Sequence, residues 1–335
     1  MTYEIIQKIV KASGVTTGEK VLIHFWGEDK DKEIANKFMI AVASVGATPT
    51  LLQQSREINK RLFSVVKEDS FGEDYFDKLS SFDAVLDLFT YQPIILGYEI
   101  NKKQLALYRK YIATLFSALM KSKRFTQIRI PTQANAEEAG LDPQDYIKRM
   151  TDAYDIDYSI LKTNCEKRIS ELSELKEITI KTGEDYEISF AISNRNWHID
   201  AGNGDMPCGE VYIAPIENET NGNIFFEKIY VNEHLYTDVV VSVQRGKITC
   251  TNNGNVNAWL KELNDEDKVV CELGFGMNPN IKDVCGYTVL DEKMIDTFHI
   301  AIGANTMFGG CNASGMHEDF ICTSRYQVEV TYIEK

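Results

Sequence analysis

Histidine is scarce in this chain: five in 335 residues, namely His24, His198, His234, His299 and His317. Seven cysteines (Cys165, Cys208, Cys250, Cys271, Cys285, Cys311, Cys322) form no Cys-x-x-Cys pair, which excludes a thiolate zinc knuckle. Their odd number and irregular spacing fit reduced, mostly buried thiols. No run of about 18 apolar residues occurs, so no membrane-spanning helix is expected. Basic residues are outnumbered, 36 against 50, and the net charge is −14. That balance argues against nucleic acid or an anionic membrane as the main partner. The opening MTYEIIQKIVKASG carries charges at helical spacing and no apolar leader core, so no signal peptide is expected and the cytoplasm is the expected setting. Internal repeats and low-complexity tracts are absent as well.

What is present is a soluble globular composition, 44% hydrophobic and 26% charged, long enough for two cores. Residues 3–13 place Ile5, Ile6, Ile9 and Val10 on one helical face. VLIHFW (21–26), TPTLLQ (48–53), DAVLDLF (83–89) and TQIRIP (126–131) read as strands, with a helix near 31–45 closed by Gly46. That alternation predicts an α/β domain with a parallel sheet. Residues 142–172 are helical and charged, with Asp142-Pro143 as the start. After residue 172 the pattern becomes β-rich: YEISFAI, NIFFEKIYV, DVVVSVQRGKITC, VVCELGFG, FHIAIG and RYQVEVTYI. QRGK (244–247) reads as a hairpin turn. Two domains are expected: an α/β domain with its connecting helices over 1–172, and a predominantly β domain over 173–335.

The chemistry concentrates in the second. Side chains alternate along a strand, so His317 and Asp319 of MHEDF share a face and Glu318 takes the other. His299 stands in an apolar strand nearby. Each is weak alone, because an apolar-flanked histidine is more often a hydrogen-bonded core residue. A metal there needs anionic partners. Glu210 heads a strand after a Gly turn in MPCGEVYIAP, and Glu272 interrupts the apolar strand of VVCELGFGMNPN. A lone carboxylate inside such a strand is costly to bury unpaired. A cation is one partner; Arg195 or Arg245 is the bland one. His198 is close enough to the Glu210 turn to support the site from behind, while His24 reads as an ordinary sheet residue.

These segments resemble the aminopeptidase T / aminopeptidase S / PepS family of metalloaminopeptidases. The matching elements are GEVYIAP (209–215), ELGFG (272–276), NPNI (278–281), LDEK (290–293), HIAIG (299–303), FGG (308–310) and HED (317–319). The N-terminal half is similar in outline only. The resemblance implies that Glu210, Glu272, His299, His317 and Asp319 are metal ligands, all five family positions being matched. It implies two divalent ions (zinc, cobalt or manganese), a peptide or small amide substrate, and a homodimer. The chain departs from the larger members in carrying Thr306 where they have a tyrosine thought to assist catalysis, and in a shorter N-terminal half.

The expected function is release of N-terminal residues by water attack on a metal-polarised peptide carbonyl. Glu272 either bridges the ions or takes the water's proton. Thr306, Asn305, Arg195 or a metal alone supplies the oxyanion donor. The alternative is a non-peptidase metalloenzyme on the same scaffold: another amide hydrolase, a tailoring enzyme, or a ring-opening dioxygenase-like protein with one iron on a reduced His/His/Asp set. Retention of both glutamates favours two metals. A binding or structural protein with a residual site is the third reading.

Overall fold

The computed structural model describes residues 1–93 and 100–330. Met1–Tyr158 and Ala201–Cys208 form one compact unit, and Ser159–Asp200 with Gly209–Lys335 form the other.

The first unit is α/β. Strands β1 (Lys20–Trp26), β2 (Thr48–Gln54), β3 (Ala84–Phe89), β4 (Arg124–Arg129) and β8 (Asp205–Met206) make a parallel sheet in the order β2-β1-β3-β4-β8. Central β3 is buried throughout and β1 from Val21 onward, which is why both read as near-continuous apolar runs. His24 is a sheet residue, as expected; its Nδ1 lies 2.8 Å from Asp87 Oδ1 on the adjacent strand. The helix Tyr3–Ala12 buries Ile5, Ile6, Ile9 and Val10, and Thr2 caps its N-terminus. A further helix, Lys102–Leu119, packs Tyr108, Tyr111, Leu115 and Leu119 against Leu22 and Val85.

The charged 142–172 segment is two helices, Pro143–Tyr154 and Tyr158–Leu172, the first capped by the Asp142 carboxylate with Pro143 in its opening turn. The compact units do not divide at residue 172. From Ser159 the second helix belongs with the β-rich unit, where the Arg168 guanidinium lies 4.4 Å over the Phe275 ring. Residues 201–208 return to the first unit because β8 extends the parallel sheet beyond β4. There the Tyr154 hydroxyl is 2.7 Å from the Met206 carbonyl.

The second unit holds two antiparallel sheets. One contains β5 (Glu177–Thr182), β6 (Tyr186–Ala191), β10 (Asn221–Val231), β11 (His234–Gln244), β12 (Lys247–Thr251) and β16 (Tyr326–Val330), in the order β12-β11-β10-β6-β5-β16. Arg245 and Gly246 both have positive φ, the backbone that a two-residue hairpin turn demands, so QRGK turns as expected. The end of RYQVEVTYI, residues 331–333, lies outside the described residues. The other sheet contains β7 (His198–Asp200), β9 (Glu210–Ile213), β13 (Val270–Gly276), β14 (Phe298–Gly303) and β15 (His317–Cys322), in the order β15-β14-β13-β9-β7. All five expected ligands lie on this sheet.

Candidate metal centre

Register aligns the donors. Glu272 pairs across to Ala301 and Ala301 to Asp319; His299 lies opposite Gly274, Glu210 opposite Gly276, and His317 opposite Gly303. Alternation then puts Glu210, Glu272, His299, His317 and Asp319 on one face, with small residues at the face positions between them. Glu318 turns the other way, as expected, and accepts a hydrogen bond from the Asn232 amide at 2.9 Å. A register shift between Val270 and Glu272 marks a bulge.

Two glycines clear the ground. Gly209 has φ +129°, and a Cβ there would lie 2.9 Å from the Asn278 backbone nitrogen. Its carbonyl accepts from the Met277 amide at 2.8 Å, which draws the chain leaving β13 alongside Glu210. Gly274 needs no unusual backbone; a Cβ there would lie only 2.1 Å from His299 Nε2.

The carboxylates and imidazoles converge as two triads that share one residue. In Glu210–Glu272–His299 and in Glu272–His317–Asp319 the donor atoms lie within 4.8 Å of one another. His299 Nε2 is 3.3 Å from Glu272 Oε1 and 3.5 Å from Glu210 Oε2. His317 Nε2 is 3.5 Å from Glu272 Oε2 and 3.6 Å from Asp319 Oδ1. Glu272 thus turns one oxygen to each triad. The other ring nitrogen of His317 faces the Ala304 carbonyl at 2.9 Å, which orients the imidazole with Nε2 toward the carboxylates.

Behind the first triad stands Lys293. Its side chain is 2% exposed, and its ammonium lies 2.5 Å from Glu210 Oε1, 2.7 Å from Glu292 Oε1 and 3.7 Å from Asp200 Oδ2. The bland partners considered for a buried glutamate do not pair with Glu210 or Glu272: the cation on Glu210 is Lys293, and Arg195 is bonded to Glu217 instead. Three carboxylates thus share one ammonium, and with Glu272 and Asp319 beside the imidazoles the site holds five carboxylates, each at most 13% exposed. The electrostatics register the surplus. Burial pushes the Glu272 carboxyl up, and the charges of Asp319 and Glu210 add to this. Burial would lower both imidazoles, but the bond to Glu272 and the Glu210 charge raise His299 to about 9, and the bonds to Asp319 and Cys271 raise His317 to about 12. Asp319 is also pushed up by burial, yet the His317 bond holds it below the ordinary range. Protons on the two imidazoles stand here where cationic charge is wanted.

Arg195 and Thr306 do not join this cluster by a hydrogen bond or ion pair among the described residues. Arg195 donates to the Gly309 carbonyl and to Glu217 Oε2, the latter at 2.6 Å. Thr306 is exposed on the one-turn helix Thr306–Phe308. Thr306 belongs to a loop that Glu217 braces, accepting from Asn305 Nδ2 at 3.1 Å and from the Cys311 amide at 2.5 Å, and Arg195 reaches the same loop through the Gly309 carbonyl. His198 lies beside the cluster, stacked on Tyr212 with ring centres 5.2 Å apart and with Nε2 3.1 Å from the Phe308 carbonyl.

The Glu217 brace carries a pH prediction. Burial raises its carboxyl, but the Cys311 amide, Asn305 and Arg195 outweigh this and leave it below the ordinary value. A lowered carboxyl stabilises the fold above the unfolded pKa of about 4.3, and that contribution is lost as pH falls through the lowered value. Hydrogen exchange at the Cys311 amide should therefore accelerate below about pH 4 relative to amides in β13. Equal acceleration at both would show that the brace does not hold the loop.

Lys293, Glu292, Asp200 and Tyr212 were not identified from sequence. Lys293 and Glu292 lie in LDEK, a segment that contributed to the family resemblance without an assigned role. Tyr212 stands two residues after Glu210 and therefore on its face, a period-2 signal that was available.

An α/β unit followed by a β-rich unit, with buried carboxylates and imidazoles converging on one sheet face, defines a two-unit metalloenzyme. Residues 9–334 match the model of the thermophilic metalloprotease (M29) family, and the chain belongs to that family. It is accordingly a metal-dependent hydrolase. No curated protein sequence matches it significantly. Among solved structures it is similar to wild-type AmpT from Thermus thermophilus, at 15% identity and a TM-score of 0.70, over 98% of this chain and 94% of that one. It is also similar to a 2,5-dihydroxypyridine dioxygenase from Pseudomonas putida, at 12% identity and a TM-score of 0.68, over 98% and 93%. At such identities the likeness is one of fold.

Proposed function

We propose that the chain is a two-metal aminopeptidase. The observation that carries this is the sharing of Glu272 between two donor triads. Charge supports it. Asp200, Glu210, Glu272, Glu292 and Asp319 against Lys293 leave a surplus of four negative charges, which two divalent cations would neutralise. Such a surplus is prohibitive to bury without cations or protons. Glu210 Oε2 is buried without a hydrogen bond and faces His299, so the first triad has a donor in hand. We assign Glu210, Glu272 and His299 to one ion and Glu272, His317 and Asp319 to the other, with zinc, cobalt or manganese as candidates.

Ions held there supply Lewis acidity, polarising a scissile carbonyl and acidifying the attacking water. A substrate's free α-amine would bind at the ions, which would make the cleavage exopeptidic. Arg195 acts in this reading through the loop that it and Glu217 hold, and Thr306 stands on that loop. The two neighbouring folds have almost equal TM-scores, so fold does not choose between peptidase and oxygenase. The second glutamate-bearing triad favours the peptidase. From the family resemblance we also propose a homodimer in the cytoplasm; sedimentation should give twice the 38.0 kDa chain mass.

The test is elemental analysis after loading with zinc, cobalt or manganese, joined to an assay on a panel of aminoacyl amides and small peptides with free and acetylated N-termini. We expect two ions per chain, cleavage of the free-amine substrates only, and loss of cleavage with a chelator. One bound iron and no amide cleavage would favour the oxygenase reading instead.

A further inference from the structure

We propose that the α/β unit carries a second ligand site, a cleft for a free amino acid with a small branched aliphatic side chain. It shares no residue with the metal centre, and binding there does not depend on the peptidase reading. Two adjoining cavities make the cleft, and Val66, Lys67, Glu68 and Leu107 line both. The inner one, of about 50 Å³, is walled by Phe63, Phe71, Phe76 and Tyr111. The outer one, of about 380 Å³, opens among Asp69, Asn101, Lys103 and Gln104. One side of the cleft is thus the segment after the helix Arg56–Phe63, and the other is the first half of the helix Lys102–Leu119.

The inner end is apolar and fixed. The Phe63 ring centre lies 5.9 Å from that of Phe71 and 5.2 Å from that of Tyr111, and Phe71 lies 4.7 Å from Tyr111. The Tyr111 hydroxyl already accepts from Gln54 Nε2 at 3.0 Å, so the ring offers the cavity its carbon surface. Phe71 is held at φ +58°, which is costly for a bulky side chain, and such backbone gathers at ligand clamps. Gln104 donates to the Ser64 carbonyl and the Ser70 amide to the Lys67 carbonyl, the latter at 3.1 Å, so the two sides of the cleft are tied together. An apolar cavity of about 150 Å³ takes a benzene ring. At about 50 Å³ the inner end fits a branched aliphatic group and excludes an aromatic one.

The mouth carries both signs of charge. Lys103 Nζ is 2.8 Å from Glu68 Oε1, with the two side chains 74% and 71% exposed. The bond to Lys103 and its charge hold the Glu68 carboxyl below the ordinary range, and the charge of Lys110 adds to this. That pair selects the charge type of the ligand. A lone carboxylate on Lys103 would strand Glu68, and a lone amine on Glu68 would strand Lys103. A zwitterion satisfies both, its carboxylate on Lys103 and its ammonium on Glu68, so one ion pair is exchanged for two. Little is lost in parting an exposed pair. Lys67 and Asp69 line the same mouth and extend the match. Beneath it, the aliphatic side chain leaves water for the aromatic end. A free amino acid meets all of these terms, and it is also the class of molecule that the proposed reaction would release.

The experiment follows hydrogen exchange in the full chain while leucine, glycine, tryptophan, N-acetylleucine and leucinamide are each titrated in the millimolar range. Leucine should slow exchange at amides within residues 64–71 and 101–108. Glycine lacks the side chain, tryptophan overfills the inner end, N-acetylleucine lacks the ammonium and leucinamide the carboxylate. Each should bind at least about tenfold more weakly than leucine. Lys103→Glu, a change at an exposed side chain, should weaken leucine binding at least about tenfold, and Lys103→Arg much less. Four results would overturn the proposal: unchanged exchange in both segments, N-acetylleucine or leucinamide as good as leucine, full affinity in Lys103→Glu, or slowing confined to β13, β14 and β15, which would mark product bound at the metal centre. A chain that binds leucine in this cleft and cleaves no aminoacyl amide sinks the peptidase reading alone. Cleavage without leucine in the cleft sinks this inference alone.

Discussion

Glu272→Gln is expected to yield a folded chain that holds at most one metal ion and has lost at least about 10³ in kcat/KM, beyond the cost of one lost oxyanion donor. Each oxygen of Glu272 faces a different triad, 3.3 Å from His299 and 3.5 Å from His317. A carboxamide keeps the shape and one weak acceptor, but it removes the charge and puts an NH₂ group toward one of the two triads. Both candidate subsites are therefore damaged by a single change, whereas Glu210→Gln or Asp319→Asn damages one. The folded state should survive, because the substitution removes a buried negative charge that the charges of Asp319 and Glu210 oppose. In the metal-free chain its melting temperature should match or exceed the wild type's. Metal analysis by mass spectrometry, with thermal melts in chelator, reads both. Two ions bound with unchanged affinity would end the shared-ligand reading, and unfolding in chelator would show that Glu272 is needed for structure instead.

The legible and illegible parts of this molecule differ for physical reasons. Glu210, Glu272 and His299 are visible in sequence because each is a polar interruption in a strand whose other positions are apolar, small or Gly, and His317 and Asp319 because alternation puts them on one strand face. Burial at those positions demands an explanation in chemistry. The parallel sheet was visible because β1 and β3 are covered on both faces and so read as unbroken apolar runs. Lys293 was not visible: a Lys beside Glu292 and Asp291 reads as a solvated surface turn, and only the fold shows the ammonium buried among carboxylates. The division of the chain was illegible for a related reason. The strand Asp205–Met206 is two residues long and takes its place from pairing with Gln127 and Ile128, a partner about eighty residues away that no local pattern announces. The roles of Arg195 and Thr306 depend on loop geometry, which a residue string does not carry.

Gly274→Ala is the second change with a large expected effect, although it adds one methyl group and no charge. Gly274 has an ordinary backbone, so the reason for glycine is room. The room is filled: Gly274 is paired with Tyr212 on one side and His299 on the other, and the added carbon would lie 2.1 Å from His299 Nε2 and 2.3 Å from its Cε1. That ring is fully buried, and both carboxylates it faces, Glu210 and Glu272, are more than nine-tenths buried. It has no free direction in which to yield. Overpacking of this kind typically costs about 1–3 kcal/mol. The functional loss should be larger, because a displaced His299 leaves the first triad with two carboxylates and no imidazole. We expect one ion per chain in place of two, and cleavage reduced as far as in His299→Ala. A double-mutant cycle separates the cause from general damage. In the His299→Ala background the methyl has space, so Gly274→Ala should cost little further stability in urea unfolding, with a coupling of about 0.5–3 kcal/mol between the two sites. If the two changes add without coupling, the glycine serves the strand and not the histidine, and the reason for glycine at the centre of ELGFG would have to be sought in the sheet itself.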